Sequence, residues 1–295
     1  MILCPGQGGQ HAGIFDLARN DPRASALLAQ CDPVLGDPAS MYSNQVAQPA
    51  IVASMLAIWE ALRDQAPAPA LVAGYSVGEL AAYSVAGALA PLEAIGLATR
   101  RATLMDQAAA GGAAQALVAI GGLPLASMRA LVRDADFEIA IVTGSDTCIA
   151  GGLVQRLPDL EDALMEAGAR MQRLPLTVAS HTKLMAAAVK PFAAALAGSA
   201  FGAMACPVMS GIGALPVRDR LTAIAHLSRQ IGETILWSEC MDAAAEAGIT
   251  VALELGPGAA LSRMLQTRHP GIACRSIADF RSLDGITEWL DRQAA

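Results

Sequence analysis

The sequence contains no run of basic residues, no Cys-x-x-Cys pair and no uninterrupted apolar stretch long enough to span a membrane. Each absence closes a class of function. Lys and Arg number 20 against 27 Asp and Glu, a formal net charge of −7, so the basic footprint of a nucleic-acid binder is missing. The six cysteines (Cys4, Cys31, Cys148, Cys206, Cys240, Cys274) stand singly, which argues against a zinc site or a redox pair and predicts reduced, mostly buried thiols. Two charge-free stretches, residues 107–128 and 191–217, are broken by Gly, Pro, Ser or Gln and fail as membrane spans. No basic segment precedes the first apolar run, and there is no internal repeat, low-complexity linker or coiled-coil heptad. Charged residues make up 16% of the 295 and apolar ones 54%. The expectation is a cytoplasmic, compact protein with one large α/β domain or two smaller ones, and no bound metal.

What the sequence does contain is organised around residues 71–82. Leu71, Val72 and Ala73 read as a buried strand, and the chain from Glu79 reads as a helix. Between them Gly74-Tyr75-Ser76-Val77-Gly78 matches G-x-S-x-G, the strand–turn–helix elbow that presents a nucleophile in a strained turn. Ser76 would sit at a helix N-terminus, where free N–H groups and the positive end of the dipole favour a developing oxyanion. The competing reading is a glycine-flanked tight turn without chemistry.

Along the chain, residues 2–4 form a short apolar run that ends in the glycine-rich loop Pro5-Gly6-Gln7-Gly8-Gly9-Gln10, which lacks the Lys-Ser/Thr of a P-loop. Residues 13–30 read as helical with an interruption at Asp21-Pro22. Gln48-Pro49 reads as the start of a helix with Pro in its first turn, and residues 91–107 as a further helix carrying Arg100 and Arg101. Strands at 114–120, 137–143, 147–150 and 170–176 with helices at 124–133 and 157–167 give β-α-β-β-α-β, a ferredoxin-like unit inserted into a larger α/β domain. Residues 111–175 are assigned to the small subdomain, and residues 1–110 with 176–295 to the large one. In the latter, helices are expected at 182–197, 219–231, 237–247 and 282–293, and strands near 207–212, 250–255 and 274–277.

A serine nucleophile needs a base, and the chain has four histidines: His11, His181, His226 and His269. His181 is favoured, because Ser180-His181 lies where a strand-like run at 174–178 meets a helix. A helix-terminal histidine that moves no proton is the alternative. Arg101, taken alone, reads as a surface arginine on an amphipathic helix.

These residues carry a resemblance. The loop at 5–10, Gly74-Tyr75-Ser76-Val77-Gly78-Glu79, Arg101, Ala179-Ser180-His181, Gln230 and Glu254-Leu255-Gly256-Pro257-Gly258 occur in the order and approximate spacing found in malonyl-CoA:acyl carrier protein transacylases. The resemblance spans residues 3 to about 265. It implies an α/β-hydrolase-like large subdomain with a ferredoxin-like insert. It further implies Ser76 as nucleophile, His181 as base oriented by the backbone carbonyl of Gln230, and an oxyanion hole from the backbone N–H groups of Gln7 and Val77. Arg101 would bind the malonyl carboxylate by a two-pronged fork. The substrate would be a CoA thioester, with no bound cofactor, and the acceptor the phosphopantetheine-type thiol of an acyl carrier protein. Arg100, Arg170, Arg173, Lys183 and Lys190 are the candidate docking cations for that acidic partner.

The sequence departs from the family pattern at Tyr75, where His is common, and near Val142, where an Asn has no counterpart; Tyr75 is expected to change the packing next to the nucleophile, and Val142 to alter contacts to the thioester's carrier. With the tail 275–285, these departures look similar to the branch that serves malonate decarboxylase and its dedicated carrier subunit. The other expected carrier is that of fatty acid synthesis. One rival is a serine hydrolase, either a thioesterase or a patatin-like enzyme pairing Ser76 with Asp284. Another is a non-catalytic carrier-docking subunit that keeps the fold.

Overall fold

The computed structural model describes residues 1–35, 40 and 43–294. In chain order its first half runs β1 (Ile2–Cys4), α1 (Pro22–Leu35), α2 (Asn44–Leu62), β2 (Val72–Gly74), α3 (Gly78–Val85) and α4 (Pro91–Ala109). There follow β3 (Gln115–Gly121), α5 (Leu125–Asp134), β4 (Glu138–Val142), β5 (Thr147–Leu153), α6 (Leu157–Glu166) and β6 (Arg170–Arg173). The chain closes with α7 (Ala186–Gly198), β7 (Val208–Ser210), β8 (Leu215–Val217), α8 (Arg220–Arg229), α9 (Trp237–Glu246), β9 (Val251–Glu254), α10 (Ala260–Arg268), β10 (Ala273–Ser276) and α11 (Leu283–Ala294).

Two sheets result. The larger has the order β10-β9-β1-β2-β7-β8 and is parallel except for the β7–β8 hairpin. Its central strands β1, β2 and β7 are buried throughout, as apolar strands covered on both faces by helices must be. On one face pack α1, α2, α3, α4 and α7; on the other, α9 and α10 join the small sheet in a second core. The small sheet has the order β4-β5-β3-β6 and is antiparallel throughout. Counting its own strands in sequence this is 2-3-1-4, the ferredoxin-like pairing, with α5 and α6 closing its core around Met128, Val132, Leu160 and Leu164.

The hub of the first core is α2. Among the described residues it is the one helix long and apolar enough to cross a membrane, with mean hydropathy 1.2, yet 78% of that window is buried inside the protein. It is a core helix. Ile51, Met55, Leu56 and Ile58 are almost fully buried, each contributing roughly 1.5–3 kcal/mol. Its start differs from the sequence expectation: the helix begins at Asn44, so Pro49 lies in its second turn. There the ring removes one helical hydrogen bond at a cost of about 3 kcal/mol, which burial on all sides of the helix offsets.

Other boundaries moved for local reasons. Residues 13–20 are successive turns with i→i+3 bonds such as Asp16 N–H to the Gly13 carbonyl, and α1 begins only where Asp21 accepts from the N–H groups of Arg23 and Ala24. The run at 174–178 is not a strand. Leu174 N–H still donates to the Leu117 carbonyl, but Pro175 has no donor to continue the ladder. Strand β8 was not anticipated, since Pro216 falls within it; the residue is tolerated because β8 is an edge strand.

Candidate active site

The elbow is built by β2 and α3. Ser76 follows β2 with φ +57°, in the left-handed region that a non-glycine residue occupies at a cost of order 1–3 kcal/mol. The neighbouring glycines are sterically required. A Cβ on Gly74 would come within 2.2 Å of the Glu79 Cα, and one on Gly78 within 2.1 Å of the Cys4 carbonyl oxygen. The turn closes through Tyr75 N–H to the Cys4 carbonyl, 2.9 Å, and Gly78 N–H to the Tyr75 carbonyl, 3.0 Å. Ser76 is thereby held at the carboxyl end of the parallel sheet, beside the loop that leaves β1.

The structure brings His181 to Ser76 from 105 positions away: Ser76 Oγ lies 2.8 Å from His181 Nε2. His181 also has a left-handed backbone, φ +64°, and is 2% exposed. Its Nδ1 lies 2.6 Å from the Gln230 carbonyl oxygen. A carbonyl only accepts, so Nδ1 carries the proton and Nε2 offers its lone pair to the Ser76 hydroxyl. Gln230 is the residue that ends α8, and its carbonyl is one of those a helix leaves unpaired at its C-terminus. Burial, then the nearby Arg101 charge, lowers the His181 pKa to about 3, against the opposing pull of the Gln230 carbonyl. The imidazole is neutral at physiological pH.

Arg101 lies in α4 and is 2% exposed, not on the surface. Its guanidinium NH2 donates toward Ser76 Oγ at 3.3 Å, and NH1 donates to Gln48 Oε1 at 2.8 Å. Burial lowers the Arg101 pKa to about 10, which leaves it charged at neutral pH. Glu79 is the acidic group facing it. Burial raises the Glu79 carboxyl to about 8, against hydrogen bonds from Gly211 N–H and the Gln230 side chain and against the Arg101 charge. Burial thus opposes the charge on both members of this facing pair, and an anionic ligand group would give the guanidinium a further partner.

Gln7 lies in the loop after β1, and Val77 is the N-cap residue of α3. Among the described residues, neither backbone N–H donates to a protein acceptor. Tyr75 stacks edge-on against Trp237, ring centroids 5.2 Å apart, and its hydroxyl is pushed up by burial. Val142 corrects an expectation: it packs in the core of the small sheet, while its strand neighbours Ile141 and Thr143 line the active-site cleft. The alternation of side chains along β4 turns Val142 away from any thioester.

Ser76 and His181 lie in a cleft of about 1140 Å³ between the two sheets. Gln7 and Tyr75 border it on one side, Arg170 on another, and Arg263 from α10. Of the five candidate docking cations, Arg170 lines this cleft; Lys183 is engaged by Glu138 at 2.7 Å. Arg100, Arg173 and Lys190 are exposed and not among the cleft residues. The other histidines have partners elsewhere. His226 Nδ1 lies 2.8 Å from Ser210 Oγ, His269 Nε2 2.9 Å from Asp242, and His11 Nδ1 accepts from Gly13 N–H. Asp284 sits exposed in the first turn of α11, and the partner at Ser76 is His181 instead. Among the described residues no group of three or more His, Cys, Asp or Glu is placed to hold a metal ion.

Three polar residues escaped the sequence reading: Glu79, Gln48 and Asn44. Glu79 was visible only as the end of the elbow motif. Gln48 was read only as part of a helix start and Asn44 was not singled out, although two amides four residues apart share a helix face, which was the available signal.

The model of the acyl transferase domain family matches residues 1–278. A malonyl CoA-acyl carrier protein transacylase of Mycobacterium tuberculosis is 30% identical over 97% of this chain and 98% of its own length. The crystal structure of FabD from Acinetobacter baumannii superposes with a TM-score of 0.91 at 25% identity, covering 100% of this chain and 98% of that one. A malonyl-transacylase bound to a type II polyketide acyl-carrier protein gives 0.91 at 27% identity, covering 97% of this chain and 98% of that one.

Proposed function

This chain belongs to the acyl transferase domain family and, within it, to the malonyl-CoA:acyl carrier protein transacylases, and from that premise we propose how its residues perform the transfer. The chain is an acyltransferase that moves a malonyl group from malonyl-CoA to an acyl carrier protein. His181 Nε2 takes the proton of Ser76 as Oγ attacks the thioester carbonyl. The oxyanion is received by the free N–H groups of Gln7 and Val77. As the tetrahedral species collapses, the C–S bond breaks and His181 returns the proton to the CoA thiolate. The malonyl-Ser76 ester then meets the carrier's thiol, and the same steps run in reverse order.

The observation that carries the reading is the position of Arg101, a buried guanidinium whose NH2 is 3.3 Å from Ser76 Oγ. A malonyl ester on Ser76 puts its free carboxylate within reach of that fork, and two parallel charge-assisted bonds suit a carboxylate. An acetyl group offers nothing there.

For the acceptor, the finer reading is the dedicated carrier subunit of malonate decarboxylase, with other subunits of that enzyme as further partners. Tyr75 beside the nucleophile and the tail at 275–285 support this branch over the carrier of fatty acid synthesis. The test presents the malonyl-enzyme with both holo carriers and follows malonyl-carrier formation by mass spectrometry. Transfer at least about tenfold faster to the malonate decarboxylase carrier is expected, a difference of about 1.4 kcal/mol in the transfer barrier. The opposite preference overturns the branch but not the transfer. Release of malonate to water with neither carrier loaded would favour the serine hydrolase.

A further inference from the structure

We propose that Asp106 is a positioning residue for substrate selection, acting on Arg101 through a directional relay of two amides, Asn44 and Gln48; the proposal rests on the reading of Arg101 as the carboxylate fork. Asp106 lies five residues after Arg101 in α4, and Asn44 and Gln48 stand one turn apart on the facing helix α2. Asn44 Nδ2 donates to Asp106 Oδ1 at 2.8 Å, Gln48 Nε2 donates to Asn44 Oδ1 at 2.7 Å, and Arg101 NH1 donates to Gln48 Oε1 at 2.8 Å. The three bonds form one chain from a carboxylate to the guanidinium.

The chain has a direction because its ends are not interchangeable. A carboxylate only accepts and a guanidinium only donates, whereas an amide has a donor end and an acceptor end of almost the same shape. Asp106 obliges Asn44 to present Nδ2; Asn44 then offers Oδ1 to Gln48, which turns Oε1 toward Arg101. The weaker contacts agree with this polarity. Asn44 Nδ2 also reaches the Ala102 carbonyl at 3.4 Å, and Gln48 Nε2 the Met105 sulfur at 3.6 Å. Reversal would set the Gln48 NH2 against the guanidinium, two donors facing in a site where Gln48 is 0% exposed. Such a mismatch is costly once buried.

The far end of the relay reaches open space. Asp106 and Asn44 line a second cavity of about 490 Å³, on whose wall Gln7 and Val178 also lie. Asp106 can therefore keep its charge partly solvated while its hydrogen-bonding polarity passes inward. With NH1 held by Gln48, the NH2 prong faces Ser76, so the fork is aimed before substrate arrives, and less ordering remains to be done on binding.

The test uses Asp106→Ala, Asp106→Lys and Asp106→Glu in the full chain, with Arg101→Ala in parallel. Each is assayed for KM and kcat with malonyl-CoA, for acetyl adduct formation on Ser76, and for thermal midpoint. With Asp106→Ala the KM for malonyl-CoA is expected to rise about tenfold, while kcat and acetyl loading change by less than about threefold. Asp106→Lys discriminates most sharply. A cation at the outer end would by charge alone attract a malonyl carboxylate and lower KM, whereas the relay, its donor and acceptor ends reversed, predicts a KM raised at least as far as in Asp106→Ala. Asp106→Glu, again an acceptor, is expected to restore most of the malonyl preference. Unchanged KM in the Ala and Lys variants, a lowered KM in the Lys variant, or parallel loss of malonyl and acetyl loading would overturn the relay. If Arg101→Ala itself keeps the malonyl preference, what fails is the reading of the fork.

Discussion

Replacing Arg101 with Ala should exchange the acyl preference of the enzyme rather than abolish its chemistry. The guanidinium is 2% exposed, held by Gln48, and faces Glu79, whose carboxyl burial raises to about 8. Two hydrogen bonds between charged groups, at about 1.5–3 kcal/mol each, place the loss for a malonyl group at about 3–6 kcal/mol. At about 1.4 kcal/mol per decade, kcat/KM for malonyl-CoA falls by roughly two to four orders of magnitude. Acetyl loading moves the other way. In the wild type an acetyl group desolvates the guanidinium without pairing it, and removing that penalty should raise acetyl loading about tenfold. Quenched reactions read by intact-protein mass spectrometry give both rates from the adduct masses of malonyl and acetyl, with the thermal midpoint as a folding control. Gln48, buried and left without its partner, costs about 1–3 kcal/mol of stability, which the thermal midpoint reads. Malonyl preference persisting in Arg101→Ala, or both substrates failing together, would refute the reasoning.

Three further outcomes follow from the site. His181→Ala should lower acyl-enzyme formation by about three to four orders of magnitude, whereas Asp284→Ala, at an exposed residue of α11, should leave it within about twofold; the reverse pattern would restore the Ser-Asp hydrolase. Because burial and the Arg101 charge hold His181 near pH 3 in the free enzyme, kcat/KM for malonyl-CoA should stay level from about pH 7, below the Glu79 value of about 8, down to about pH 5. A half-point near 6.5, the ordinary histidine value, would contradict the buried pair. Glu79, raised from 4.5 to about 8, binds its proton more tightly folded than unfolded, so its contribution is full below about pH 4.5 and is lost as pH rises through 8. Glu79→Gln, which mimics the protonated form, should therefore narrow the drop in thermal midpoint between about pH 6 and pH 9. An unaltered pH dependence of the midpoint would show that the carboxyl is ionised in the native state.

Much of the fold was legible because its signals are local. Residues 2–4, 71–73 and 251–253 are short apolar runs, which buried parallel strands require, and the glycines around Ser76 mark a turn too tight for a Cβ. Strand pairing in the small sheet followed from six short elements in a recognisable order. Two misread segments are places where tertiary context overrides a local rule, Pro49 inside the buried helix α2 and Pro216 on the edge strand β8; residues 13–20 and 174–178 differ for local reasons, a run of turns ending at Asp21 and the missing donor of Pro175. At the site, Ser76 was readable from its motif, but the nearness of His181, 105 positions away, depends on two loops meeting at the sheet end. Arg101 alone looked like a surface residue, and its burial comes from the packing of α4 on α2. Of the relay through Gln48 and Asn44 the sequence shows only two amides four residues apart on one helix face; its hydrogen-bond direction arises only when two helices face each other.

The central claim is a malonyl ester on Ser76 that waits for a thiol. Brief exposure of wild type and Ser76→Ala to malonyl-CoA, followed by intact-protein and peptide mass spectrometry before and after adding a holo carrier, tests it most directly. One malonyl adduct is expected on the wild type, mapped to the peptide containing Ser76, absent from Ser76→Ala and discharged onto the carrier thiol. An adduct that survives in Ser76→Ala, or steady release of CoA with no adduct at any time, would contradict it.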